Sequence, residues 1–125
     1  MSDDLKQKMI AAVEGYITHF NAADHNAIAM LYAEDATVED PVGTPLKKGR
    51  EDIRDFYEGA VKGGTQLELL GPIRLAEREA AFPFKATVGA ANMVIEIIDT
   101  FKFNDAGEVT EMRAFWGPEN ITKTD

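Results

Sequence analysis

Apolar residues along the N-terminal segment recur at three- and four-residue steps. Leu5, Met9, Ala12, Val13, Tyr16, Ile17 and Phe20 form one stripe and predict a long first helix. Asn21-Ala22-Ala23-Asp24 interrupts it, and Asp24 is placed to cap a short second helix whose apolar side is Ile28, Leu31 and Tyr32. Ala36 to Asp40 alternates as a short strand that Pro41 stops, and the turn-rich Pro41-Val42-Gly43-Thr44-Pro45 follows. Helical spacing returns from Gly49 to Lys62, with Ile53, Phe56, Tyr57, Ala60 and Val61 inward. From Gln66 onward the period falls to two. Strands are predicted near 66–70, 73–78, 80–88, 93–103 and 108–116, with a hairpin turn at Asn104-Asp105-Ala106-Gly107. Helices followed by a run of antiparallel strands make an α+β protein, with three helices against one curved sheet and a pocket between them.

Strand alternation sorts each strand into two faces. On 93–103 one face carries Met93, Ile95, Ile97, Asp99, Phe101 and Phe103, so Asp99 is the lone polar residue among apolar ones. Away from water, a carboxyl group without a cation is driven to its neutral form, which donates a hydrogen bond. On the first strand Ala36, Val38 and Asp40 share one face, and Thr37 and Glu39 share the other. Pro41 biases Asp40 toward extended backbone, as suits a strand end at a pocket mouth. A single inward aspartate is more often a turn cap. Two in a chain of 125 residues point to one ionised base and one neutral acid. Tyr16, Tyr32 and Tyr57 are the only tyrosines, and all three are predicted on inward helix faces, where phenols need partners. Phe82, Phe84, Ala86 and Val88 share a face, as do Met112, Ala114 and Trp116. Such stripes usually mean core, although pockets are lined by the same residue types.

Composition narrows the chemistry. With 22 acidic and 13 basic residues the net charge is −9, which argues against nucleic acid or an anionic membrane as partner. There is no cysteine, and Ser2 is the only serine, so thiolate and Ser-His-Asp chemistry are set aside. His19 and His25 are the only histidines and form no metal-ligand pattern; no metal is expected. Gly63-Gly64 lacks the Lys-Ser/Thr of a phosphate-binding loop. No apolar run nears the roughly 20 residues of a membrane span. The acidic start of the chain is unlike a secretory signal, so one cytoplasmic domain over residues 1–125 is expected, and Asn120-Ile121-Thr122 is read as a chance glycosylation match. Carboxylates, tyrosines and lysines remain for chemistry.

As a set, Tyr16, the segment Ala36-Thr37-Val38-Glu39-Asp40-Pro41-Val42-Gly43 and the segment Ile98-Asp99-Thr100-Phe101-Lys102-Phe103 resemble the bacterial Δ5-3-ketosteroid isomerases. The resemblance runs through nearly the whole chain, including Asn21-Ala22-Ala23-Asp24, Phe56-Tyr57, Ala81-Phe82-Pro83-Phe84 and Met112-Arg113-Ala114-Phe115-Trp116. It implies a cone-shaped fold of the nuclear-transport-factor-2-like type, a homodimer and no cofactor. By resemblance, Asp40 is the base, Tyr16 and protonated Asp99 are the oxyanion donors, and Tyr57 and Tyr32 extend a hydrogen-bond chain behind Tyr16. The implied reaction converts a 3-oxo-Δ5-steroid to its 3-oxo-Δ4 isomer through a dienolate. Phe82, Phe84, Phe101, Met112 and Trp116 would contact the steroid. Lys85, Gly89-Ala90-Ala91-Asn92 and Pro118 depart from the family pattern, and the small residues at 89–92 would reshape the pocket entrance. Two alternatives stand beside this reading. A polyketide-cyclase-like or dehydratase-like enzyme on the same scaffold normally uses a histidine, and His19 and His25 are poorly placed. A non-enzymatic apolar-ligand-binding dimer has no use for Asp99 opposite Tyr16.

Overall fold

Ser2 Oγ accepts the Leu5 N–H at 3.1 Å and opens α1 (Asp3–Asn21), whose first turn carries Asp3 and Asp4 against the positive end of the helix dipole. The computed structural model describes residues 2–124. Asp24 caps α2 (His25–Ala29) by accepting the Ala27 N–H, and α3 (Arg50–Ala60) follows Gly49. The stripe predicted for α1 is buried at Leu5, Met9, Ala12, Val13, Tyr16 and Phe20. On α3, Ile53 and Tyr57 have no exposed surface.

The strands are β1 (Tyr32–Glu39), β2 (Lys47–Lys48), β3 (Thr65–Leu69), β4 (Arg74–Ala76), β5 (Glu79–Val88), β6 (Met93–Phe103), β7 (Val109–Phe115) and β8 (Ile121–Lys123). They form one sheet in the order β2-β1-β7-β6-β5-β3, with β4 also on β5 and β8 also on β6. Pairing is antiparallel throughout except between β1 and β7, which run parallel. The long strands β5 and β6 pair with each other along their length, while each divides its far edge between two neighbours. The three helices pack on one face of this sheet and enclose the apolar core with it.

Most predicted elements stand where the periodicity put them, and β6 spans the predicted 93–103. Tyr32 is a correction: α2 ends at Ala29, and Tyr32 opens β1 instead of lying on a helix. Leucine and tyrosine after Met30 continue a helical spacing by coincidence. The strand period that would have contradicted it is broken by a register shift between Tyr32 and Thr37. β1 is therefore longer than the predicted 36–40 and stops one residue short of Asp40. β2 and β8 are too short to show a period, and neither was expected. Two 3₁₀ turns, Gly89–Ala91 and Pro118–Asn120, occupy segments read as connections.

Candidate active site

Asp99 lies on the inner face of β6, between Phe82 of β5 and Ala114 of β7 in the cross-strand register. It has no exposed surface, and among the described residues neither carboxyl oxygen has a hydrogen-bond partner. Burial pushes its pKa well above the ordinary carboxyl value, and the nearby Asp40 carboxyl adds to the rise. Burial without a partner favours the neutral form of Asp99, and a neutral carboxyl group carries an O–H that can donate.

Tyr16 projects from α1 into the same region. Its ring meets Phe101 edge-on at 5.5 Å, Tyr57 at 5.8 Å and Phe82 at 6.2 Å. Burial raises the Tyr16 pKa, Asp99 raises it further, and the Tyr57 hydroxyl pulls the other way. Behind it the Tyr32 and Tyr57 hydroxyls share a hydrogen bond of 2.7 Å with no exposed surface on either residue. Tyr32 thus reaches its predicted neighbour from a strand rather than from a helix. The three phenols lie together and stay protonated, since burial leads the upward shift for each.

Asp40 follows β1 and is partly buried. Its Oδ1 accepts the Trp116 indole N–H at 2.9 Å. Burial raises its pKa, while the Trp116 bond and the Lys47 charge lower it. The balance leaves a carboxylate of strengthened basicity at the rim of an apolar interior. The Asp40–Pro41 bond is cis.

The predicted lining residues divide. Phe82 and Phe101 touch the Tyr16 ring, and Phe84 stacks on Phe82 at 5.7 Å. Met112 is fully buried between Val38 and Phe101 in the register, which makes it a wall between β1 and β6. Trp116 does something the spacing did not reveal, because it binds the Asp40 carboxylate. Sequence reasoning also passed over Glu39, whose outward carboxylate accepts the Arg113 Nε–H at 3.0 Å and the Gly43 N–H at 2.9 Å. Alternation correctly put Glu39 opposite Asp40 but marked it only as solvated. Among the described residues no group of His, Cys, Asp or Glu is arranged to hold a metal ion.

The profile of the SnoaL-like domain matches residues 13–112. A curated relative, the steroid Delta-isomerase of Nocardioides simplex, is 42% identical over 116 residues, covering 91% of this chain and 94% of that protein. A similar solved structure is that of SalBIII, an epoxide hydrolase/cyclase-like enzyme of pyran ring formation in the polyether salinomycin. It superposes with a TM-score of 0.89 at 27% identity, over 98% of this chain and 99% of that one.

Proposed function

We propose, because the chain belongs to the SnoaL-like domain family and is an isomerase of the steroid Delta-isomerase kind, that it converts 3-oxo-Δ5-steroids to 3-oxo-Δ4-steroids with Asp40 as the shuttling base. The carbonyl oxygen accepts hydrogen bonds from Tyr16 and from protonated Asp99. Asp40 removes a proton from the carbon between the carbonyl and the double bond. The electrons move into a dienolate whose oxygen carries the new charge. Donors fixed on that oxygen stabilise the transition state more than the ground state. Asp40 then returns its proton at the far end of the conjugated system, so atoms and charge balance and no cofactor enters. Phe82, Phe84 and Phe101 would lie against the rigid apolar substrate, Met112 would back them, and Trp116 would hold the base.

The observation that carries this reading is Asp99: fully buried, with neither oxygen partnered among the described residues. An unsatisfied buried polar group costs roughly 1–3 kcal/mol, and a substrate oxygen would satisfy it. The test is turnover of a β,γ-unsaturated 3-oxosteroid, followed by the rise of conjugated-enone absorbance. Rapid turnover is expected, with near-complete loss in Asp40→Asn and a substantial slowing in Tyr16→Phe and in Asp99→Ala. An Asp40→Asn variant that keeps most of its activity would remove the base from the scheme. The likeness to SalBIII favours a second reading, acid–base opening of an epoxide by the same two carboxyl groups. Turnover of a hydroxy-epoxide, with the steroid left untouched, would select it.

In the same reading the working unit is a homodimer formed through the outer face of the sheet. Its support is an apolar row on that face: half-buried Pro83 and exposed Ile98 and Phe115 are neighbours across β5, β6 and β7, with Leu70 beside Pro83. Leu70, Ile98 and Phe115 are 51%, 49% and 42% exposed, and it is their contiguity that suits an interaction surface.

A further inference from the structure

Asp40 begins a loop, and loops seldom hold a base to the tolerance that proton transfer needs. Among the described residues its own carboxylate has one hydrogen bond, to Trp116. The backbone around it is held differently. Glu39, the preceding residue, points to the opposite face of the sheet and cannot reach a substrate inside. Its Oε1 accepts from Arg113 Nε, and Arg113 stands directly across from it on β7. Its Oε2 reaches forward over the loop and accepts the Gly43 N–H. Arg113 is itself steadied over the Phe115 ring at 5.2 Å.

One carboxylate therefore closes Glu39 to Gly43 into a ring and ties that ring to β7. Further bonds stiffen it: the Val42 N–H donates to the Ala114 carbonyl at 2.8 Å, and the Thr44 hydroxyl and N–H donate to the Pro41 carbonyl at 2.7 Å and 3.1 Å. Gly43 has φ +101, a conformation that leaves its N–H aimed back at Glu39 without a side chain to strain. The Gly43 N–H, and then Arg113, hold the Glu39 carboxyl below the ordinary range, so the ionised acceptor is the form present.

We propose that Glu39, with Arg113 and Gly43, is a positioning brace that sets the direction of the Asp40 carboxylate from the far side of the sheet. The inference rests on Asp40 being the base. Its test is Glu39→Ala, assayed on the β,γ-unsaturated 3-oxosteroid and, separately, for binding of a planar phenol-bearing steroid that reports only the Tyr16 and Asp99 side. The expected result is a kcat lower by roughly 10- to 100-fold, the scale of a small misplacement of a catalytic group, with KM and phenol affinity nearly unchanged. Arg113→Met frees one carboxylate oxygen and leaves the Gly43 bond, so it should lose less; it also covers the case in which Glu39→Ala folds poorly. An unchanged kcat in both variants would overturn the brace. So would a loss matched by equal loss of phenol binding, which would mean general damage to the pocket. Full activity in Asp40→Asn would instead overturn the assignment of the base, so the two failures are distinguishable.

Discussion

In the proposed mechanism Asp40 is the base, and its carboxyl group is under two opposing influences. Burial makes its charged form dearer and its proton harder to release. The Trp116 N–H, donated at 2.9 Å, and the charge of Lys47 stabilise the carboxylate. Trp116→Phe keeps the bulk and removes the donor. The carboxylate loses a partner, the neutral acid does not, and the Asp40 pKa must rise. The acid limb of the kcat/KM profile, which reports the free enzyme's base, should therefore move to higher pH. A limb that stays in place or moves down would mean that the indole bond does not act on the base. At this scale the chain was partly legible. Alternation put Asp99 and Asp40 inward because a strand has only two faces. It could not show that Trp116 turns its N–H to Asp40, since that bond joins residues 76 apart in sequence. Nor could it show that Glu39 is more than a solvated acid.

At the scale of elements, one side chain ties the end of α1 to the backbone of the sheet edge. Asn21 Oδ1 accepts the Leu67 N–H at 2.6 Å, and its Nδ2 donates to the Leu67 carbonyl at 2.9 Å. The amide thus does for edge strand β3 what a neighbouring strand would do. Asn21→Ala should leave both Leu67 groups unpaired and lower stability by roughly 1–3 kcal/mol, read from urea unfolding, with kcat little changed. A wild-type unfolding midpoint would show that water replaces the amide at no cost. The same residue explains a limit of sequence reading. Asn21 looked like a helix breaker, which it is, and nothing local announces a partner 46 residues away. Long, regular elements such as α1 and β6 were legible because each repeats its period several times. Tyr32 was misassigned because β1 is irregular just where its period was needed.

For the whole molecule, a net charge of −9 opposes self-association, yet the outer sheet face carries an apolar row. If that row is the dimer surface, burying a carboxylate in it should be decisive. Phe115→Glu places the charge at the β7 end of the row, on the face away from Asp99, and should shift a sedimenting dimer to monomer. A wild-type chain that sediments as a monomer, or a Phe115→Glu variant that stays dimeric, would move the interface elsewhere. The fold class followed from the order of helices and strands; the outer face did not, because an exposed isoleucine in sequence looks the same as a buried one.

The parallel pairing of β1 with β7 has a consequence in time. The strand that leads to Asp40 is zipped to a strand more than 60 residues further along, so that contact closes a long loop, and long-range closure is slow to nucleate. Helices and the β5–β6 hairpin can form from local contacts before Asp40 meets the Trp116 indole. On refolding from denaturant, activity is expected to return after the far-ultraviolet helix and strand signal; activity that returned together with that signal would show that β1–β7 closure does not lag.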